Sequence, residues 1–269
     1  MEQLAVGPIL IFRSVSFGFD ETLALHDLSF ELQRGETLII HGAAGSGKTV
    51  LLKIALGLLR PTSGRVILFG QDVTDFTEQQ WFDVRSRVGV LFQEGGLFDS
   101  FSIEDNVGYP LVNQPLLQVP PEEVASRVEE SLEFVELGHT LGKFPSELSG
   151  GMRRRVGIAR AIVTQPELML YDSPTAGLDP ITANTIMALI VKGRDMRHAT
   201  TLIVTHRHQD GEILERYRYD ESTASLVKSQ GVTTGTRYLV LREGELAFLG
   251  SPAEFDACSD PHVAKFTSR

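Results

Sequence analysis

One stretch near the start of the chain has the residue types and spacing needed to hold a phosphate group. It reads His41-Gly42-Ala43-Ala44-Gly45-Ser46-Gly47-Lys48-Thr49 and fits the pattern G-x-x-x-x-G-K-[ST]. Glycines allow backbone N–H groups to approach an anion closely, and the lysine adds a mobile positive charge. The threonine hydroxyl suits Mg²⁺. The stretch therefore predicts a phosphate-binding P-loop, and the alternative is a tight glycine turn beside an incidental lysine.

A P-loop needs a strand before it and a helix after it. The apolar run Thr37-Leu38-Ile39-Ile40 predicts a buried strand, and the run from Val50 to Leu56 predicts a buried helix. The first turn of that helix has N–H groups without internal partners, and its dipole is positive there. The flanking elements therefore favour the phosphate-binding interpretation.

Further apolar runs predict the elements that must position the rest of a site. Strands are expected at 9–19, 28–32, 65–69, 87–93, 168–172 and 201–206, and helices at 121–137, 149–164 and 183–194. Four prolines predict an irregular stretch from 94 to 121, and the chain should end in a hairpin over 238–249, one short helix and a loose end. Strands that alternate with helices predict a mostly parallel α/β sheet, and the early strands look antiparallel. Gly42, Gln93, Asp172 and His206 all fall at strand ends, so they can converge.

Composition limits the possible classes of protein. The 269 residues suit one large domain or two small ones, and 42% hydrophobic residues can bury a sizeable core. A net charge of −10 argues against a general nucleic-acid binder. The single cysteine, Cys258, fits a reducing compartment, and neither a membrane-spanning run nor a signal peptide is recognisable. We expect a soluble cytoplasmic protein that reaches a membrane only through a partner.

A second set of motifs resembles those of the ABC-transporter ATPases. The segment Leu148-Ser149-Gly150-Gly151-Met152-Arg153 resembles their signature motif. The other matches, in family order, are Phe19 (adenine-stacking aromatic), Gln93 (Q-loop), Leu168 to Asp172 (Walker B strand), Ala176 to Asp179 (D-loop) and His206 (switch histidine). The resemblance implies a P-loop NTPase of the ABC ATPase type, with a mostly parallel sheet core, an N-terminal antiparallel β subdomain and a helical signature subdomain. It implies one domain over 9–255, with the helical subdomain at about 96–165, an inserted segment at about 217–236 and a tail over 256–269.

The resemblance also implies roles for these residues, with ATP and Mg²⁺ as ligands. ATP would be bound by Phe19, Gly42, Ala43, Ala44, Gly45, Ser46, Gly47, Lys48 and Thr49, and from a second subunit by Ser149, Gly150, Gly151 and Met152. Mg²⁺ would be held by Thr49, Gln93 and Asp172, and catalysis would involve Gln93, Asp179 and His206 together with position 173. Because one chain cannot place both N–H nests on one triphosphate, the family forms a head-to-tail dimer with ATP between the subunits. We expect a homodimer or a pair of ATPase subunits.

Position 173 departs from the family pattern. Relatives usually carry Asp-Glu at the end of the Walker B strand, whereas this chain reads Asp172-Ser173-Pro174-Thr175. A neutral hydroxyl can orient water but hardly take its proton, and loss of a positioned base typically costs ~10²–10⁴-fold in rate. We expect ATP binding to survive and hydrolysis to be slow. Alternatively, Glu94 could serve as the base, or Ser173 could be a trapping substitution, for which Gln is the usual choice.

The residues after Gln93 point to a narrower group. Phe92 to Ser100, followed by Ile103-Glu104-Asp105-Asn106-Val107, resembles the ATPases of bacterial MCE-type lipid transporters, and Met152 stands where other ABC ATPases commonly have Gln. This resemblance implies phospholipid transport across the envelope, integral-membrane permease subunits, an MCE-domain partner and a peripheral location on the cytoplasmic face of the inner membrane. The alternatives are another transported substrate, a nucleotide-dependent clamp or scaffold without useful turnover, and a soluble ABC protein of DNA repair or translation, which the charge and the single cassette disfavour.

Several residues also have ordinary structural interpretations. Phe19 could be a core aromatic rather than an adenine platform, and His206 could be structural. The run Arg153-Arg154-Arg155 could form a nucleic-acid patch, but we interpret it as a solvated helix face beside the dimer interface. The segment 217–236 predicts a small added hairpin, either a docking site or a neutral insertion.

Overall fold

Two sheets carry the architecture of the molecule. The computed structural model describes residues 7–19, 22–93, 95–114, 117, 119–229 and 235–267. The strands of the larger sheet are β3 (Thr37–Gly42), β6 (Val88–Leu91), β7 (Leu168–Asp172), β8 (Thr200–Val204), β11 (Thr236–Arg242) and β12 (Glu245–Gly250). Their order is β12-β11-β3-β8-β7-β6, and every neighbouring pair is parallel except the β11–β12 hairpin. The carboxyl ends of β3, β7 and β8 therefore meet at one edge of this sheet.

The smaller sheet is antiparallel. It consists of β1 (Pro8–Phe19), β2 (Thr22–Gln33), β4 (Ser63–Leu68) and β5 (Gln71–Asp72), in the order β2-β1-β4-β5. Its strands come from both sides of the P-loop in the sequence. The predicted fold class, with a parallel core and an N-terminal antiparallel subdomain, is confirmed.

Helices cover the two faces of the larger sheet and form the signature region. They are α1 (Lys48–Ala55), α2 (Glu78–Ser86), α3 (Ile103–Asn113), α4 (Pro121–Phe134), α5 (Gly150–Ile162), α6 (Pro180–Arg197), α7 (His208–Arg216) and α8 (Pro252–Ala257). Within the described ranges, no helix combines the length and the apolar character that a bilayer crossing requires.

The alternation of side chains along the buried strands divides the core in two. Leu38 and Ile40 of β3 point to the cluster shared with α1 and the antiparallel sheet, whereas Ile39 points to the cluster shared with α5 and α6. All residues of β3 are buried. A strand covered on both faces needs a continuous apolar run rather than an alternating one, which explains its sequence.

The segment expected to be irregular contains α3, so the prediction for 94–121 is wrong in its middle. Ser102 caps this helix, since its Oγ accepts a hydrogen bond from the N–H of Asp105 at 3.1 Å. Pro110 lies inside the helix, where proline usually breaks the backbone pattern. The face formed by Ile103, Val107 and Leu111 is buried in the core, and this packing outweighs the local penalty.

Two other expectations about the end of the chain had different outcomes. The hairpin β9–β10 (Tyr217–Asp220 and Ser225–Lys228) is present, although residues 230–234 of the predicted segment lie outside the described residues. The loose end is wrong for the described tail, because Val263–Phe266 forms a 3₁₀ helix. The Nδ1–H of His208 donates to the carbonyl oxygen of Phe266 at 2.9 Å and fixes this tail to the core.

Candidate functional site

The P-loop connects β3 to α1 through backbone conformations that exclude most side chains. Gly47 has φ +98°, and a Cβ there would lie 2.5 Å from the carbonyl oxygen of Ala24. A Cβ on Gly42 would lie 2.4 Å from Ser46 Oγ and 2.8 Å from the carbonyl oxygen of Leu241. The tip of the loop, Ala43 to Gly45, is exposed. The loop therefore holds a fixed, bare backbone toward solvent at the N-terminus of a helix, which suits an anion.

Lys48 is folded back onto the loop that precedes it. Its Nζ donates to the carbonyl oxygens of Gly42 at 2.8 Å and Ala43 at 2.7 Å, and to Ser46 Oγ at 3.3 Å. Burial lowers the pKa of Lys48 to about 8, against the opposing effect of Asp172. The ammonium group is thus desolvated and surrounded by neutral oxygens, so a phosphate would stabilise its charged form.

Strand β7, the predicted Walker B strand, positions Asp172 beside the P-loop. Thr49 Oγ1 donates to Asp172 Oδ2 at 3.3 Å, and Ser173 Oγ donates to Asp172 Oδ1 at 3.2 Å. No cluster of three or more His, Cys, Asp or Glu side chains suited to a metal exists in the described part of the chain. A pair of oxygen donors nevertheless fits Mg²⁺, which usually takes one or two protein ligands and completes its shell with water and phosphate oxygens. Thr49 and Asp172 would hold such an ion, which would neutralise phosphate charge.

Ser173 has an unusual backbone conformation for a residue other than glycine, with φ +49°. It is 5% exposed, and its N–H donates to the carbonyl oxygen of Val204 at 2.9 Å. These contacts fix Ser173 between β7 and β8. Its hydroxyl donates to Asp172. Because residue 173 is a serine, it has no carboxylate that could accept a proton from water.

His206 follows β8 and lies beside the P-loop. Partial burial lowers the pKa of His206, and the positive charge of Lys48 lowers it further, while a hydrogen bond to the backbone of Gly42 and the charge of Asp172 oppose them. The switch-histidine position is therefore close to the groups predicted to hold phosphate. Of the four residues expected to converge at the strand ends, Gly42, Asp172 and His206 lie close together, whereas no described contact brings Gln93 to them.

The signature turn faces solvent. Ser149 is the N-cap of α5, with its Oγ accepting from the N–H of Met152 at 3.3 Å, and both Ser149 and Gly150 are exposed. A Cβ on Gly151 would lie 2.4 Å from Thr182 Cγ2, so a larger residue would push against α6. Among the described residues, no hydrogen bond joins this turn to the P-loop. The turn is therefore an exposed helix N-terminus that is capped by Ser149.

Three other predicted site residues lie on the surface, and no hydrogen bond or ion pair within the described ranges joins them to Lys48. Gln93 is exposed after β6, and Phe19 is 57% exposed with an edge-on contact to Phe17. Asp179 caps α6 through the N–H groups of Ile181 and Thr182, both at 3.0 Å. A hydrogen bond with the Thr182 side chain, together with these N–H groups, lowers the pKa of Asp179. Their predicted roles in ATP and Mg²⁺ binding stay predictions.

The interpretation of Arg153 to Arg155 as a solvated face is wrong for its central member. Arg154 is 7% exposed and donates to the carbonyl oxygens of Ser173 and Ala176, both at 3.2 Å. It therefore links the signature helix to the loop after β7. The periodicity of α5 placed Arg154 on its buried side, beside Ile158, and that was the signal we overlooked.

Two buried groups around the site were also missed. Asp210 is 1% exposed, and its Oδ2 accepts from Thr175 Oγ1 at 2.5 Å and from Thr205 Oγ1 at 2.6 Å. His41 is fully buried, and its Nδ1–H donates to the carbonyl oxygen of Thr205 at 3.0 Å. Burial lowers the pKa of His41 to about 4, so the ring stays neutral at physiological pH. Neither contact could be expected from sequence spacing.

Fold and site together define a P-loop nucleotide-binding protein. A model of the ABC transporter family matches residues 25–176, more than half of the chain, and this protein belongs to that family.

Curated relatives include the probable ribonucleotide transport ATP-binding protein mkl of Mycobacterium leprae, 36% identical over 76% of this chain and 58% of that protein. Methionine import ATP-binding protein MetN 2 of Rhodococcus jostii is 35% identical over 95% of this chain and 69% of that protein. The chain thus spans less than two thirds of the mkl relative.

Solved structures show the same fold. CbiO1 of Clostridium perfringens, part of the ABC transporter complex CbiONQ, superposes with a TM-score of 0.77 at 28% identity, over 93% of this chain and 91% of that one. The ATP-binding cassette MJ0796, solved as a dimer in a post-hydrolysis state with ADP and Pi, gives a TM-score of 0.75 at 27% identity, over 90% of this chain and 98% of that one.

Proposed function

We propose that this protein is the ATP-binding subunit of a bacterial ABC transporter, in which ATP-driven dimerisation powers a membrane permease. The observation that carries this proposal is the contact between Thr49 Oγ1 and Asp172 Oδ2 at 3.3 Å, directly beside Lys48. It joins the P-loop and the Walker B strand at the carboxyl edge of the sheet. Phosphate ligands and Mg²⁺ are expected at such an edge.

Each residue of this edge has a definite part in the proposed reaction. The backbone from Gly42 to Gly47 cradles the phosphates, and Lys48 exchanges its loop carbonyls for phosphate oxygens. Thr49 and Asp172 would hold Mg²⁺, and Gln93 would be a further contact. His206 donates toward the γ-phosphate position and stabilises the charge that develops there. Phe19, exposed at the end of β1, offers a face for adenine.

A second copy of the chain would complete the site. The exposed N-terminus of α5, from Ser149 to Met152, supplies the N–H nest that one chain cannot bring to its own P-loop. Asp179 would organise contacts across the interface. The dimeric MJ0796 structure, which resembles this chain over 90% of this chain's length, supports the formation of a dimer.

Hydrolysis should be slow in this dimer. Ser173 occupies the position after Asp172, and its hydroxyl is engaged with that carboxylate. A water molecule at this place would be oriented but would lack a strong proton acceptor. The closed dimer should therefore be long-lived, which also keeps open the alternative of a nucleotide-dependent clamp without useful turnover.

A groove beside Gln93 offers a surface for the permease. It has a volume of about 260 Å³ and is lined by Leu58, Phe92, Pro110 and Arg160, among others. Leu58 is 51% exposed and Phe92 39% exposed, so apolar surface is open next to the predicted coupling residue. A permease bound at this groove would hold the protein at the cytoplasmic face of the inner membrane.

The transported substrate is a phospholipid or related lipid in our proposal, with an MCE-domain protein in the same system. The support is the resemblance of the stretch after Gln93 to the ATPases of MCE-type lipid transporters. The names of mkl and MetN 2 raise two other substrates, ribonucleotides and methionine. All three share one ATPase mechanism, so the substrate must be tested separately.

Reconstitution with a membrane permease subunit tests the proposal. ATP hydrolysis would be measured in proteoliposomes with and without that subunit, and then with phospholipid, ribonucleotide or methionine as the added substrate. We expect the membrane subunit to stimulate hydrolysis and only phospholipid to move. Stimulation with another substrate would correct the substrate class, and MgATP binding without any stimulated turnover would favour the clamp.

A further inference from the structure

One buried carboxylate lies between the two loops that carry Ser173 and His206. Asp210 stands in the first turn of α7 and is 1% exposed. Its Oδ2 accepts two short hydrogen bonds, from Thr175 Oγ1 at 2.5 Å and from Thr205 Oγ1 at 2.6 Å. Thr175 lies two residues after Ser173, and Thr205 directly precedes His206. A single oxygen atom therefore joins both loops.

The loop around Thr205 is held from several sides at once. The N–H of Thr205 donates to the carbonyl oxygen of Ile40 at 3.2 Å, and its own carbonyl oxygen accepts from His41 at 3.0 Å. Its Oγ1 also accepts from the N–H of Arg207 at 3.1 Å. These bonds tie the residue before His206 to the strand that leads into the P-loop. Asp210 extends that attachment to the loop of Ser173.

The position of Asp210 differs from that of an ordinary capping residue. The N-cap of α7 is Arg207, and the Asp210 carboxylate reaches away from the helix backbone to the two threonines. Its second oxygen, Oδ1, is buried without a hydrogen bond, and Arg207 Nε lies 3.8 Å away. Burying a carboxylate costs free energy unless it is well paired, so a purely structural role would be better served by an apolar residue.

We propose that Asp210 is a positioning residue that locks the Ser173 loop to His206 and so sets the geometry in which the attacking water is held. This inference rests on the proposed ATPase function. With serine in the place of the usual carboxylate, the water must be oriented by the groups on these two loops alone. A misplacement of about 1 Å between catalytic groups can cost on the order of 10²-fold in rate. The hydrogen bonds of Asp210 should therefore affect the rate of hydrolysis more in this protein than in one that has a strong general base.

The threonine hydroxyls give the cleanest test. Because Asp210→Ala would leave two buried hydroxyls without an acceptor and destabilise the fold, we would use Thr175→Val and Thr205→Val, which keep the side-chain shape. Thr201→Val is the matched control, since Thr201 is also buried in this region but donates to the carbonyl oxygen of Ala199. Each variant would be made in the full chain, and again together with Ser173→Glu so that a slow parent does not hide an effect.

Kinetics should separate positioning from binding. We expect kcat to fall roughly 10- to 100-fold in Thr175→Val and in Thr205→Val, with the Kd for MgATP changed less than about twofold. The double variant, Thr175→Val with Thr205→Val, should have a kcat no lower than that of the less active single variant, since both threonines act through one carboxylate. Asp210→Asn, which keeps an acceptor oxygen, should retain more turnover than either threonine variant. Equal kcat in the variants and in Thr201→Val would overturn the proposal.

A measurement that does not depend on ATP turnover can test the positioning role of Asp210 separately from the proposed ATPase function. NMR titration of the His206 ring reports its distance from Lys48 and Asp172, which both act on its pKa. In Thr205→Val the midpoint should shift from its wild-type position, because the burial of the ring and its distances to Gly42, Lys48 and Asp172 would change. If the wild-type chain neither binds nor hydrolyses MgATP, the ATPase proposal fails and this titration decides the positioning. An unchanged midpoint together with unchanged kcat would sink the role of Asp210 alone.

Discussion

The P-loop and the turn at Ser173 lie next to each other at the carboxyl edge of the central sheet, but they are prepared to different degrees. The P-loop has its backbone fixed and its lysine desolvated beside neutral carbonyl oxygens. At Ser173 the backbone is equally fixed, yet the side chain is a hydroxyl that bonds to Asp172. The groups expected to hold phosphate are therefore separate from the group expected to activate water. We expect this protein to bind MgATP with ordinary affinity and to hydrolyse it slowly.

The largest expected effect comes from supplying the missing carboxylate. Ser173→Glu should raise kcat by about 10²–10⁴-fold, because a positioned general base is worth that much. Ser173→Gln is the matched control, since it adds the same bulk without a proton acceptor and should not accelerate the reaction. Steady-state ATPase assays measure both. If Ser173→Glu is no faster than wild type, another group already serves as the base; Glu94, which we considered for this part, lies outside the described residues.

The second largest effect is expected when the positive charge of Lys48 is removed. Lys48→Ala should weaken MgATP binding by about 10²–10³-fold, the scale on which preorganised donors act on phosphate or oxyanion charge. Lys53→Ala on the same helix is the control, because Lys53 is exposed and should leave the affinity unchanged. Fluorescent-nucleotide titration gives both values. An affinity of Lys48→Ala close to that of the wild type would contradict the proposal that Lys48 binds the phosphates.

A smaller effect follows from the titration of Lys48. Its pKa in the free protein is lowered to about 8, and only the protonated amine attracts phosphate. As pH rises through this value the free site loses its charge, so the affinity for MgATP should fall by up to about tenfold per pH unit above it. Titrations from about pH 7.5 to about pH 9.5 would measure the slope. A flat affinity over this range would show that Lys48 stays charged.

The smallest effect concerns His41 beneath the P-loop. Its pKa of about 4 in the folded chain lies below the ordinary value of 6.5, so the unfolded chain binds more protons between these values. The free energy of unfolding should therefore decrease as pH falls, by about 2 kcal/mol between about pH 6.5 and about pH 5.

Urea unfolding at these two pH values checks the prediction. His41→Phe should remove that pH dependence, whatever it does to stability at neutral pH. His198→Asn is the control, because His198 is exposed and its left-handed conformation suits asparagine. A pH dependence that persists in His41→Phe would assign the acid sensitivity to other groups.

The sequence predicted those parts of the molecule that depend on local patterns. The spacing from Gly42 to Thr49 predicted the P-loop, and the apolar runs predicted strands of a mostly parallel sheet, although not their order in it. Helix α3 was missed because Pro110 and the other prolines of this stretch indicated an irregular backbone, while the buried face of the helix decided its conformation.

The supporting groups of the site could not be predicted in the same way. Asp210 contacts Thr175 and Arg154 contacts Ser173 across distant parts of the chain, and only the assembled fold brings these pairs together. A buried aspartate and a surface aspartate look alike in a sequence. The contacts that fix Ser173 and His206 therefore depend on the tertiary structure, whereas the residues predicted to bind phosphate form a recognisable sequence motif.

The central claim is that MgATP joins two copies of this chain and that Ser173 lets the pair persist. Sedimentation velocity with MgATP, at several protein concentrations, tests it most directly. We expect a monomer without nucleotide, a dimer with MgATP that outlasts the dimer of Ser173→Glu, and a monomer for Lys48→Ala. A wild-type chain that binds MgATP yet sediments as a monomer at every concentration would contradict the account.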